Sequence, residues 1–432
     1  MHFAERAYAL IVLIAVLAIA GTWAEDPLLA GLWRLPTALL LLGLALEGWS
    51  LRQTGVSAAL ETSGTLLLGT ARAGAFVLRN SGARDVVLEY APATPPGIES
   101  LGEPRRIRVP QQGQARDEVA LLPVRLGRQV WPALPARLLG RLGLAWWSRE
   151  LPLAQELVVA PDALRSGRLR SSGLLSGRRV RSIIGAGSEL HQLRPYVPGD
   201  PPARVDWKAS ARCGSLITRE FSEDQHLDIL IAVDAGRRSR VRTGRLDRLG
   251  LYANIAARFA QYAVTQDDRV GLCVFSDRPL VVLAPDRGTA AVIRLRHALE
   301  RLDARAAESD PVAAAMRIRA LLRHRTLVVL LTDLEDTTLA EDLARAQSLL
   351  TPPHLALIAG VRGPEIGALA RAPARSWRDP WIALAASEHE LRSDAHLARL
   401  RRLGAPVIAA REDLLERAVF AEYEALRRRR RI

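Results

Sequence analysis

From Ala7 to Ala24 the chain reads AYALIVLIAVLAIAGTWA, without a charged side chain. A second apolar run, Leu28 to Trp49, is interrupted only by Arg34, Pro36 and Glu47. A helix needs roughly 20 apolar residues to cross a hydrocarbon core about 30 Å thick. The pattern therefore predicts a transmembrane helical hairpin over residues 1–52, turning at Glu25-Asp26-Pro27. Arg6 precedes the first run and Arg52 follows the second, so both ends are expected to face the cytoplasm. Trp23, Trp33 and Trp49 suit the interfacial belts. A competing reading makes Ala18-Ile19-Ala20 the cleavage site of a signal peptide, but the second apolar run follows at once.

Residues 53–162 show short apolar runs punctuated by Gly, Pro, Asn and Asp, such as GAFVLRNSGARDVVLEYAP and DEVALLPVRLG. This spacing predicts an immunoglobulin-like β-sandwich. Residues 163–226 begin with an Arg-, Ser- and Gly-rich stretch, Ala163 to Gly185, that reads as a linker. From 227 to 432 the pattern changes again. DILIAVDAG, RVGLCVFS, PLVVLAP, TLVVLLTDL, HLALIAGV and APVIAAR are short apolar runs without polar alternation, as strands covered on both faces require. Helical segments fit between them, among them Arg245 to Val264, Pro311 to Leu322 and Asp413 to Leu426. The expectation is a doubly wound α/β domain with one antiparallel hairpin at its edge.

Composition adjusts this picture in two places. The 432 residues carry a formal charge of +14, which raises nucleic acid or anionic lipid as partners. Lys208 is the sole lysine, however, and the arginines lack the aromatic interleaving of a nucleic-acid reader, so a solvated Arg-rich surface with no nucleic acid is expected. Cys213 and Cys273 lie in no metal-binding spacing and read as reduced thiols.

In an open α/β sheet, ligands bind beyond the carboxyl ends of the strands. The first strand ends in Asp234 and the fourth in Thr332-Asp333, so two carboxylates are expected at one crevice, and oxygen ligands there suit Mg²⁺. The arrangement is similar to the von Willebrand factor A fold, whose metal site uses Asp-x-Ser-x-Ser, a later Thr and a later Asp. Asp234 and Asp333 stand at the two Asp positions and Ser309 approximates the Thr, but Gly236 and Arg238 replace both serines. The candidate metal set is thus Asp234, Ser309 and Asp333, set against a metal-free crevice in which Arg238 pairs with a carboxylate. No P-loop, HExxH or GxSxG motif is present, so no cofactor or catalytic residue is assigned and the chain is expected not to be an enzyme. A divalent-metal-dependent hydrolase or adhesion module at the Asp234/Asp333 crevice is the alternative.

The run LRPYVPGDPPARVDWKASARCGSLITRE carries the most specific pattern in the chain. Arg194, Tyr196, Gly199, Asp200, Arg204, Asp206, Trp207, Ser210, Arg212 and Glu220, with Lys208 among them, resemble in order and nearly in spacing the signature of the domain of unknown function 58 family. Pro201 departs from it where a second Asp is usual. Physically, the segment predicts a polar clasp, and a partner-docking surface formed by the same residues is compatible with it. Asp200 serves a turn, Asp206 caps a short helix, and Arg194, Arg204 and Arg212 fork onto Asp200, Asp206 or Glu220, with Trp207 as a buried anchor. The resemblance implies a bacterial inner-membrane protein with its soluble domains in the cytoplasm. It also implies work with a MoxR-type AAA ATPase in assembly or maturation of other proteins, and the missing catalytic motifs add the expectation of a membrane-anchored adaptor that binds the ATPase or an unknown client protein through its A-type domain. Arg427 to Arg431, which ends the last predicted helix, suits the helix dipole and, near a leaflet, anionic lipid.

Overall fold

The computed structural model describes residues 2–23, 31–52, 55–62, 64–100, 103–153, 155–163, 183–185, 189–223, 226–336, 339–363 and 365–428. The turn Glu25-Asp26-Pro27, most of the Ala163 to Gly185 linker and Arg429 to Arg431 lie outside these residues. The chain divides into two compact units. Unit 1 holds residues 1–162, 242–250 and 296–303; unit 2 holds the rest.

In unit 1 a short strand, His2–Phe3, precedes helix α1 (Glu5–Gly21) and helix α2 (Arg34–Arg52). Ala7, Leu10, Ile11 and Ile14 of α1 pack with Leu40 and Leu44 of α2 and with Leu144. Glu47 explains why an acid interrupts the apolar run of α2. Its carboxylate is 1% exposed and accepts the amides of Leu142 (2.7 Å), Leu144 (3.1 Å) and Ala145 (3.1 Å), which pins α2 to a turn of the β region. Gly140 makes room for it, since a Cβ there would lie 2.1 Å from the Glu47 Cδ. The remaining strands form several sheets: a four-stranded sheet of Val56–Thr62, Arg72–Asn80, Gln114–Pro123 and Ile98–Ser100, a five-stranded sheet, a three-stranded sheet and the small hairpin Arg242–Thr243/Leu246–Asp247.

Unit 2 centres on a six-stranded sheet. In chain order its strands are β1 (Asp228–Asp234), β2 (Arg269–Phe275), β3 (Pro279–Asp286), β4 (Thr326–Leu331), β5 (Leu355–Val361) and β6 (Val407–Ala410), arranged β3-β2-β1-β4-β5-β6. β1 pairs in parallel with β2 and β4, while β3 returns antiparallel along β2. The helices are α3 (Trp207–Cys213), α4 (Arg248–Thr265) from residue 251 on, α5 (Gly288–Glu300) up to residue 295, α6 (Pro311–Leu321), α7 (Ala340–Leu350), α8 (Glu365–Arg371), α9 (Asp379–Arg402) and α10 (Glu412–Arg428). Leu230 and Ala232 of β1, Ile318 of α6, Leu343 of α7 and Leu400 of α9 share one buried cluster. Elsewhere Phe259 of α4 stacks edge-on with Phe420 and Tyr423 of α10. Each such buried ring contributes about 1.5–3 kcal/mol relative to exposure.

These observations correct the expected fold class. No described helix is long and apolar enough to cross a membrane, so the transmembrane hairpin is withdrawn: α1 has 17 residues, and α2 spends its Glu47 on a contact with the β region. Residues 56–160 are spread over several sheets rather than a single immunoglobulin-like sandwich. A doubly wound von Willebrand factor A-like domain is not shown for unit 2, which holds a mixed six-stranded sheet; the expected antiparallel hairpin is present at its edge as β3 on β2.

Candidate functional site

Two constellations lie within unit 2. The first forms where β1 and β4 end. Asp234, 2% exposed, is the last residue of β1. Its Oδ1 accepts from the Gly236 amide (2.9 Å) and the Ser309 hydroxyl, and its Oδ2 accepts from Thr332 Oγ1 at 2.7 Å. Ser309 is carried there by the start of α6. Asp310 caps that helix through the Ala313 amide (2.8 Å) with Pro311 in the first turn, and its own amide bonds the Ser276 carbonyl at 2.8 Å. Arg237 N to Ala307 O and Arg305 N to Ala235 O, both 2.8 Å, hold the same loop to the end of β1. Gly236 is required by proximity, because a Cβ there would stand 2.0 Å from Ser309 Oγ.

Asp333, 3% exposed, receives Arg238 Nε on Oδ2 at 2.6 Å and the Glu335 amide on Oδ1 at 2.9 Å. Asp336, 5% exposed, lies 3.5 Å from the same Nε. Burial pushes the Asp234 carboxyl above the usual carboxylate range, and Asp333 adds to the rise, while the bonds from Ser309, Gly236 and Thr332 oppose it. The structure thus brings Asp234, Ser309 and Asp333 together, but with their oxygens already engaged. A divalent cation does not fit this arrangement: the Arg238 guanidinium stands against the Asp333 carboxylate, and the Ser309 and Thr332 hydroxyls are turned to Asp234. Among the described residues no group of three His, Cys, Asp or Glu side chains is placed to hold a metal ion. Asp336 escaped the sequence reading, although an acid three residues after Asp333 was the signal available. Gly236 was read only as a lost hydroxyl, whereas its missing Cβ is what admits Ser309.

The second constellation is the signature segment. The antiparallel strands Glu189–Pro195 and Ile217–Glu223 flank a 3-10 turn, Pro202–Arg204, and α3. Arg194 forks onto Asp200 with two bonds of 2.8 Å and also reaches Glu220, which accepts Gln192 Nε2 at 2.7 Å. Asp200 further accepts the Val197 amide (3.0 Å) and Thr218 Oγ1 (3.2 Å) across a turn in which Gly199 takes φ +111°. These bonds, led by that from Arg194, hold the Asp200 carboxyl down at about 2. Asp206 caps α3 through the Ala209 amide (3.0 Å), and Gly214, φ +67°, ends it. Ser210 Oγ donates to the Asp206 carbonyl (2.7 Å) and accepts the Ile217 amide (2.9 Å), tying helix to strand. The Tyr196 amide bonds the Leu216 carbonyl at 2.9 Å, and Lys208 is exposed.

Three details differ from the expected clasp. Trp207 is 67% exposed rather than a buried anchor, because α3 is held by its cap and Ser210 and not by its indole. The ionic partner of Asp206 is Arg219, at 3.6 Å. Among the described residues, Arg204 and Arg212 form no ion pair with Asp200, Asp206 or Glu220. Leu193 (45%), Val197 (54%) and Leu216 (46%) are exposed together with Trp207.

A family model described as protein of unknown function DUF58 matches residues 192–361, which begin at the clasp and run through β5. Uncharacterized proteins of Mycobacterium tuberculosis and Mycobacterium bovis are 37% identical over 62 residues, which is 14% of this chain and 20% of theirs. The chain therefore matches only a fifth of the length of these curated relatives. A crystal structure of the conserved hypothetical protein BatB from Bacteroides thetaiotaomicron covers 47% of this chain at 14% identity and TM-score 0.33, with 99% of its own length covered. An uncharacterized membrane spanning protein from Vibrio fischeri covers 47% at 16% identity and TM-score 0.19, again with 99% of its own length.

Proposed function

This chain carries the DUF58 domain across residues 192–361, and on that premise we propose that it is a non-catalytic protein-binding adaptor, docking through its signature segment to a MoxR-type AAA ATPase that acts on a client protein. One observation carries the reading. The charged groups Arg194, Asp200 and Glu220 satisfy one another within the segment, while Trp207, Val197, Leu193 and Leu216 are left exposed. An exposed Trp on a framework stiffened by ion pairs is the kind of side chain that dominates binding energy at interfaces. The crevice supports a non-catalytic role, since its hydroxyls and carboxylates bond each other and Arg238 rather than being left to a substrate.

The test is capture of partners by the full-length protein and by Trp207→Ala. The wild type should recover a MoxR-type ATPase. Trp207→Ala should lose about tenfold or more in affinity with its melting temperature unchanged. Equal capture by both proteins, or repeated absence of the ATPase from the wild-type eluate, would overturn the reading.

A further inference from the structure

Helix α9 is apolar on two opposite sides. Its inner side carries Ala386, Ser393, Leu397 and Leu400, all buried, with the two leucines in the cluster that also holds Leu230 of β1. A step of two residues turns an α-helix by about 200°, so Leu384, Leu391, Ala395 and Ala398 stand opposite those four. Leu384 (61%) and Leu391 (71%) are exposed, as are Ala395 and Ala398. Trp381 (69%) extends the outer side by a turn, and Trp377 (75%) continues it just ahead of the helix. A helix at the surface of a globular protein needs one apolar stripe, with polar residues opposite; a helix apolar on both sides is one that is covered on both. In this single chain the outer stripe is open to solvent.

The order of side chains along that stripe says what covers it. Its members are residues 377, 381, 384, 388, 391, 395 and 398, in alternating steps of four and three, the spacing of a seam between paired helices. Size falls along it, from tryptophan through leucine to alanine. A parallel copy would set Trp381 against Trp381 and Glu388 against Glu388, bulk on bulk and like charge on like charge. An antiparallel copy reverses the gradient, so that Trp381 meets Ala398 and Leu384 meets Ala395. In that register Glu388 comes beside Arg392 of the second copy. Within its own helix Glu388 already bonds Arg392, and both are exposed, so the two ion pairs meet at the middle of the seam with signs alternating. Glu388 stands between the two leucines, and a lipid layer that took up Leu384 and Leu391 would have to take it in as well. The stripe is thus complementary to itself in both volume and charge.

We propose that the outer stripe of α9 is a dimer interface, on which two copies of this chain pair antiparallel about a two-fold axis passing between Glu388 and Leu391. The same patch serves both copies, so the contact closes on itself and assembly stops at two. Its exposed tryptophans are the side chains that anchor interfaces of this kind.

The experiment is sedimentation of the full-length protein between about 1 and 100 µM, where the wild type should pass from monomer to dimer. Leu384→Glu, at an exposed position, should keep the wild-type circular dichroism and weaken the dimer about a hundredfold or more, because the substitution enters a two-fold interface twice. Direction is read by cross-linking in a Cys213→Ser background, which removes the exposed native thiol and leaves Cys273 buried. Leu384→Cys and Ala395→Cys proteins, mixed and oxidised with copper phenanthroline, should form a disulfide-linked dimer that neither forms alone. A wild type that stays monomeric throughout the range, an unweakened Leu384→Glu dimer, or cross-linking of Leu384→Cys by itself would overturn the proposal. A monomeric wild type that floats with phosphatidylglycerol vesicles, and loses them in Leu384→Glu, would assign the stripe to lipid and overturn it equally. None of these outcomes bears on capture through Trp207, so the two readings stand or fall separately.

Discussion

Arg194 shows how one side chain sets the chemistry of its neighbours. Because Asp200 is held at about 2, below its ordinary value of 3.8, its contribution to the clasp is fully present above the ordinary value. That contribution is lost as pH falls from about 4 toward 2. An NMR titration of Asp200 should therefore move up toward the ordinary carboxylate range in Arg194→Ala, and an unmoved titration would refute the assignment. In the crevice, Arg238→Ala leaves Asp333 and Asp336 buried without their guanidinium. A loss of about 2 kcal/mol in urea unfolding is expected, less than for a fully buried pair because the arginine is partly exposed. Gly236→Ala should cost a similar amount, because its Cβ must displace Ser309 from Asp234. The polar half of these contacts was legible in the sequence, since Arg, Asp and Glu at turn and cap spacing have few alternatives to one another. The exposure of Trp207 was not legible, because a residue's type does not say whether another element covers it.

At the scale of elements, runs such as DILIAVD and TLVVLL announced β1 and β4 because a strand covered on both faces needs no polar alternation. Hydropathy misled at α1 and α2. It registers that a helix is apolar but not that Glu47 finds three amides in the turn at residues 142–145, and so it could not tell a helix docked on a β region from a membrane span. The last helix was foreseen, but its attachment was not. Tyr423 donates to the buried Asp268, which also accepts the Leu227 amide at 3.0 Å and has Arg427 3.5 Å away, so α10 is tied to the starts of β1 and β2. These partners are up to 159 residues apart, a separation that no local pattern spans. Tyr423→Phe removes one donor from a carboxylate that burial already pushes above its usual range, and should destabilise unit 2 by about 1–3 kcal/mol by chemical denaturation.

Unit 1 is not a continuous stretch of chain. Arg242–Gly250 returns to it, with Arg242 reaching Glu99 at 3.1 Å and Leu246 meeting Gly69, and residues 296–303 return as well. A boundary at residue 162, natural from the sequence because composition changes there, therefore severs unit 1. A fragment of residues 1–162 should melt well below unit 1 in the full chain, and adding residues 242–250 and 296–303 through linkers should recover stability. Equal melting of fragment and full-length unit would contradict this division. The same feature constrains how the protein is made. Domains ordinarily fold as they leave the ribosome, the N-terminal one first, but unit 1 receives its last piece only when Asp303 has been translated. By then β1, β2 and β3 of unit 2 have already emerged, so the first unit to begin is not free to finish first, and its early strands must wait, incompletely covered, for sequence that lies beyond half of their neighbour's sheet.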